Sequence, residues 1–197
     1  MKSSKKLSAK DLINVGIFTA IYFVILFVFT AITSFAPITY ILLPAFIAII
    51  CAPVYVLFIT KVKTFGMITI MGILIGLLMV FTTGNTWVMF VFCTVLGIVS
   101  DLITKTGGYT SKKMSMVGYL VFAIWPVGTF FPIWLMRNSY FTSVIDSMGE
   151  AYANSLKAMT PAWILPVIIA YTVVAALAGW FIAGKINKKH FEKAGIA

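Results

Sequence analysis

MKSSKKLSAKDLINVGIFTAIYFVILFVFTAIT, residues 1–33, sets Lys2, Lys5, Lys6 and Lys10 ahead of an apolar run, residues 12–33, that contains no charged side chain. At about 1.5 Å of rise per residue such a run, wound as a helix, crosses the ~30 Å hydrocarbon layer of a bilayer. It exceeds the roughly 7–15 apolar residues of a secretory leader, so it is expected to stay as a first span.

Working outward, the same alternation of lysine clusters and apolar runs continues. Lys61 and Lys63, then Lys105, Lys112 and Lys113, then Lys185, Lys188, Lys189 and Lys193 are each separated from the preceding cluster by two apolar segments. Loops on the cytoplasmic side keep Lys and Arg because translocating them is unfavourable. The chain is therefore expected to cross out and back between clusters, with both termini cytoplasmic. Only Arg137 and Lys157 fall on the other side.

Composition agrees. A soluble domain carries charge on about 25% of its residues; this chain carries it on 10%, with 61% hydrophobic residues. The net charge of +10 would suggest nucleic acid in a soluble protein, but these cations sit in short segments beside spans, where anionic headgroups attract them. No nucleic-acid partner is expected; the bilayer is. Six segments qualify as spans, residues 12–33, 40–60, 65–83, 87–104, 116–136 and 161–184. The expected fold is all-α: a polytopic, six-helix integral membrane protein, forming one domain over residues 1–197.

The outer connections differ in kind. Residues 34–39 and 84–86 are uncharged, whereas 137–160 holds Arg137, Asp146, Glu150 and Lys157. Within it Tyr140, Phe141, Val144, Ile145, Met148, Tyr152, Leu156 and Met159 recur at three- and four-residue steps, which predicts an amphipathic helix lying on the surface or serving as a lid. Small residues recur at four-residue steps in span 1 (Gly16, Ala20), span 3 (Gly72, Gly76) and span 6 (Ala175, Gly179, Ala183), a spacing that lets helices approach closely. Pro44, Pro53, Pro126, Pro132 and Pro166 predict kinks. No internal repeat of the kind found in many secondary transporters is evident.

Catalytic chemistry is hard to assemble. The only histidine, His190, lies in the tail, so no His-based metal site, triad or haem ligation forms within the membrane, and no cofactor is expected. Asp101, at the inner end of span 4, reads as an ion-pair partner of Lys105 or an interfacial anion, with a proton relay as the rival. Cys51 and Cys93 read as small apolar groups with no disulfide. Gly179-Trp-Phe-Ile-Ala-Gly-Lys185 matches a phosphate-binding loop up to Ile186, where Ser or Thr is required, and it ends an apolar span instead of following a strand. Energy from ATP would have to come from another chain.

What remains is an outer aromatic and polar set. Tyr40, Asn85, Trp87, Trp134, Arg137, Asn138 and Trp163 are the candidate substrate-binding residues, with Phe130 and Tyr140 beside them. Hydrogen-bonding groups next to rings can stack and orient a flat organic solute; membrane-interface anchoring explains the same residue types. Arg137, the outer cation next to a span, can pair with a ligand carboxylate or phosphate, or with lipid.

Lys5-Lys6-Leu7, Lys10-Asp11-Leu12-Ile13, Gly16-Ile17-Phe18-Thr19-Ala20-Ile21-Tyr22-Phe23, Pro53-Val54-Tyr55 and Lys61-Val62 together resemble the integral membrane proteins known as Trep_Strep or MptD-type, over nearly the whole chain. Those are regarded as substrate-binding S components of energy-coupling factor (ECF) transporters. The resemblance implies a six-helix protein that captures a small organic micronutrient outside and docks onto a transmembrane T subunit carrying two ATPase subunits. It also implies that the S component tilts over to release its cargo. An Ala-x-x-x-Ala pattern on span 1 contacts the T subunit in that family; Gly16 and Ala20 occupy the comparable positions here. A self-sufficient secondary transporter or channel, and an intramembrane enzyme, are the rivals. The residues do not name the solute.

Overall fold

The computed structural model describes residues 8–83 and 87–191, and every regular element among them is helical. The first helix, α1 (Ala9–Thr33), starts ahead of the apolar run because Ser8 and Asp11 form a capping box. The Ser8 hydroxyl accepts from the Asp11 N–H at 3.2 Å, and the Asp11 carboxylate accepts from the Ser8 N–H at 3.1 Å, satisfying donors that the first turn leaves open. Val15, Phe18, Thr19, Tyr22 and Leu26 form its buried face, while Ile13, Ile17, Val24, Phe27 and Ile32 are exposed. Apolar residues on both faces suit a helix that has lipid on one side and protein on the other.

The run expected over residues 40–60 is broken twice, into α2 (Pro37–Ile41), α3 (Leu43–Ile50) and α4 (Ala52–Lys61). Pro44 and Pro53 sit in the first turns of α3 and α4, where the missing N–H costs nothing; α3 and α4 meet at 43°. Other columns supply donors at the breaks. The Tyr171 hydroxyl donates to the Ile41 carbonyl and the Tyr119 hydroxyl to that of Ala48, as backbone polar groups out of reach of water require.

α5 (Met67–Thr83) and α6 (Trp87–Thr106) pack closely through glycines: a Cβ on Gly72 would stand 2.7 Å from the Cys93 carbonyl oxygen. The fifth apolar run is α7 (Lys112–Phe122), a 3₁₀ segment (Trp125–Phe130) and α8 (Pro132–Leu135), with Pro126 and Pro132 opening the two shorter pieces. The continuous amphipathic helix expected over 137–160 is corrected to two helices, α9 (Arg137–Met148) and α10 (Glu150–Met159). Gly149 between them has φ +84°, a left-handed backbone that ends a helix and that L side chains rarely adopt. α11 (Ile164–Ile186) runs on into a π-helical turn, Asn187–Phe191.

Six helical columns close a ring: α1, α5, α6, α7, α11 and then α3–α4, which packs back on α1. Among the described residues four helical segments are individually long and apolar enough to cross a membrane, and five qualify when the bent α3–α4 pair is taken as one; Met67–Thr82 is a shorter apolar helix. Tyr22, Tyr55, Tyr119, Phe122 and Trp125 fill the ring and are fully buried. Their polar tips are partnered, as buried phenols and indoles require: Tyr55 with the Ser100 hydroxyl at 2.9 Å, Trp125 donating to the Tyr22 hydroxyl at 3.4 Å. Cys51 and Cys93 are buried and unpaired in this core. Lysines gather where α4 ends and α7 begins; α9 and α10 cover the opposite end, α10 packing on α2.

Candidate functional site

Beneath α9 lies a cavity of about 280 Å³. Its lining comes from one element after another around the ring: Thr30 of α1, Tyr40 of α2, Leu43 of α3, Met79 of α5, Met89 of α6, Thr129 of the 3₁₀ segment and Pro132 of α8. α9 closes it with Tyr140, Ser143, Val144 and Ser147, spaced so that all four fall on one helical face. No charged side chain is among the described lining residues. Hydroxyls and methionine thioethers face a cavity with apolar walls, a combination suited to a small uncharged solute with a few hydrogen-bonding edges.

The breaks in the second and fifth columns position the polar groups. Tyr40 projects from the short α2 created by Pro37 and the break at Leu42, and its ring meets Phe130 edge-on at 5.1 Å. Its hydroxyl interacts with those of Tyr140 and Thr129. The Thr129 hydroxyl also donates to the Pro126 carbonyl at 2.7 Å. Burial pushes the Tyr140 phenol well above its ordinary range, with Tyr40 adding to the shift, so at neutral pH it remains a neutral donor and acceptor.

Of the seven candidate substrate-binding residues, Tyr40 lines this cavity. Trp134 is half-buried in the cluster beneath α9 and α10, its indole N–H without a hydrogen-bond partner among the described residues. The Arg137 guanidinium lies over the Phe141 ring at 5.2 Å, a cation–π contact. Asn138 is exposed on α9, and Trp87 and Trp163 are 71% and 66% exposed, positions that suit the interface belt. Asn85 lies outside the described residues. Sequence reasoning passed over Thr30, Met79, Met89, Thr129, Ser143 and Ser147; for the two serines the signal was present, since they share the face of Tyr140 and Val144 within the amphipathic segment.

Asp101 is fully buried and is not ion-paired with Lys105. Its carboxylate accepts from the Gly66 N–H at 2.8 Å, the Thr69 N–H at 3.2 Å, the Thr69 hydroxyl at 3.0 Å and the Tyr109 hydroxyl at 2.6 Å. It thus caps the start of α5 from a neighbouring helix, where an anion is favoured by open N–H groups and the helix dipole. The Lys105 ammonium lies over the Phe65 ring at 4.3 Å instead. Among the described residues no group of three or more His, Cys, Asp or Glu side chains is placed to hold a metal ion. Gly179 to Lys185 lies wholly inside α11, so it has no loop to wrap a phosphate.

The small-residue pairs separate into two kinds. Gly72 and Gly76 are filled by α6, and Gly179 lies against α3–α4, where an added Cβ would stand 2.5 Å from the Ala48 carbonyl oxygen. Gly16 has nothing within 4 Å of an added Cβ, and with Ala20 it lies on the exposed face of α1. Internal packing accounts for the first kind and leaves the second without a partner among the described residues.

No curated protein and no solved structure matches the chain. The pattern of one protein family, described as hypothetical bacterial integral membrane protein, matches residues 9–193. With that match over nearly the whole length and several apolar helices in a closed ring, the chain belongs to the Trep_Strep family of bacterial integral membrane proteins.

Proposed function

We propose that this protein is the substrate-binding S component of an ECF-type importer, spanning the membrane six times with both termini in the cytoplasm. It takes a vitamin-like small organic solute from outside into the cavity beneath α9 and delivers it inward with a T subunit and two ATPase subunits. It is not an enzyme. The observation that carries this reading is the uncharged cavity at the lysine-poor end, walled by five of the six columns and closed by one face of α9. A helix lid tethered at the Gly149 hinge can open and close over a solute without disturbing the ring.

The exposed face of α1 supports the partner assignment. Gly16 and Ala20 form a shallow strip between Ile13, Ile17, Ile21 and Val24, and a second transmembrane helix can approach such a strip without side chains intervening. Docking must distinguish loaded from empty protein, because a partner that binds both equally shifts neither population. Six columns with an even number of crossings satisfy the lysine distribution.

The test separates binding from transport. Ala20→Trp is expected to abolish uptake in cells that contain the T subunit and ATPases while leaving solute binding by the isolated protein intact. Uptake that survives this substitution removes α1 as the docking face. Transport by the protein reconstituted alone would favour a self-sufficient carrier.

A further inference from the structure

At the opposite end of the ring lies a larger cavity, of about 530 Å³, that solute capture under α9 does not use. Three lysines from three elements converge on it: Lys63 after α4, Lys112 at the first turn of α7 and Lys188 in the π-helical turn. Thr60, Tyr109, Thr110 and Ser115 add hydroxyls, while Val56, Ile59 and Trp180 form an apolar wall. No acidic side chain is among the described lining residues, and Asp101 is engaged by the Tyr109 hydroxyl.

Asn187 is the second, independent observation. It lines the cavity and is only 7% exposed, yet among the described residues neither its side-chain nitrogen nor its oxygen has a hydrogen-bond partner. A buried amide left unpaired is costly, so such groups ordinarily have a protein, water or ligand partner. It stands where α11 passes into the π-helical turn, a distortion that recurs at functional sites. Lys112, Thr110 and Ser115 also bring the N-terminal end of α7, whose open N–H groups favour anions, to the same wall.

We infer that this cavity is a binding site for a phosphate group carried on an apolar body, held by Lys63, Lys112, Lys188 and the Asn187 amide, with Trp180 against the apolar part. An anionic phospholipid headgroup and a soluble organic phosphate share this chemistry. Occupancy would clamp α4, α7 and α11 together at the lysine end, so that the ligand sets how readily those columns move relative to one another.

The experiment uses the full chain in phosphatidylcholine nanodiscs at constant ionic strength, with the unfolding midpoint as readout. One arm adds inorganic phosphate; the other replaces part of the lipid with phosphatidylglycerol. Either probe is expected to raise the midpoint on the order of 3 °C for the unaltered protein. A response to phosphate identifies a soluble ligand, and a response to phosphatidylglycerol alone identifies the headgroup. The Lys63→Gln/Lys112→Gln/Lys188→Gln variant and Asn187→Leu are expected to lose the response. Lys105→Gln/Lys113→Gln/Lys185→Gln, with the same charge change outside the cavity, is expected to keep it. No response from the unaltered protein to either probe, or equal loss in both triple variants, overturns the site; the first of these needs no variant to fold.

Discussion

Asp101→Ala is the most discriminating single change in the ring. The carboxylate is fully buried and accepts four hydrogen bonds, two from the backbone of the α5 start and two from the Thr69 and Tyr109 hydroxyls. Truncation strands the Gly66 and Thr69 N–H groups, while the Thr69 hydroxyl can turn to a backbone carbonyl and the half-buried Tyr109 hydroxyl can reach water. Two part-buried donors at about 1–3 kcal/mol each, less the relief of no longer burying an ion, give a loss of about 2–4 kcal/mol. Asp101→Asn keeps an oxygen for the two N–H groups and presents an amide to Tyr109, whose hydroxyl can accept; its loss is limited to charge assistance, about 1–2 kcal/mol. Cys51 and Cys93 supply the assay, because both are buried and react with a thiol-specific dye only as the ring opens. The Ala variant is expected to unfold on the order of 5–10 °C below the unaltered protein, and the Asn variant much closer to it. Equal midpoints for Ala and the unaltered protein, or an Asn variant as unstable as Ala, would refute the capping role. An Asn variant of normal stability that had lost uptake would point back to a proton relay.

Gly179→Ala forces a Cβ against the Ala48 carbonyl and is expected to cost about 1–3 kcal/mol, whereas Gly16→Ala, facing open space, should leave the thiol-unfolding midpoint unchanged. Tyr40→Phe and Tyr140→Phe each remove one cavity hydroxyl and are expected to weaken solute binding by about 0.5–1.5 kcal/mol, roughly 2- to 12-fold, measured by calorimetry once the solute is identified. Arg137→Ala, whose guanidinium lies over Phe141 outside the cavity lining, should change solute affinity less than either tyrosine substitution.

Element type was legible in the sequence because apolar runs long enough to span, punctuated by lysines, admit little but helices in lipid. Where the runs break was only half legible. Pro44 and Pro53 announced kinks in the second column, but not that Tyr171 and Tyr119 from other columns would supply donors to carbonyls there. Gly149 stood in plain view inside the amphipathic segment, yet hydrophobic periodicity alone carries the pattern across it, since the phase of the apolar residues hardly changes. The cavity was harder still. Aromatic and charged residues draw attention by type, whereas Thr30, Thr129, Ser143 and Ser147 line it through the way five columns and α9 converge, and hydroxyls that bond back to their own helical segments, as those of Thr129, Ser143 and Ser147 do, give no sign in the sequence that they also line a cavity. The lysines likewise read as topology markers; that three of them meet over an unpartnered Asn187 depends on packing among α4, α7 and α11.

Solute retention by the chain alone tests the central claim most directly. Protein purified from its native host in mild detergent is extracted and its small molecules quantified by mass spectrometry, alongside a Ser143→Trp variant that fills the cavity and whose fold is checked by thiol protection. One uncharged small organic solute, near one per chain in the unaltered protein and absent from the filled variant, is the predicted result. The same molecules in both, or none in either, would contradict a capture site beneath α9.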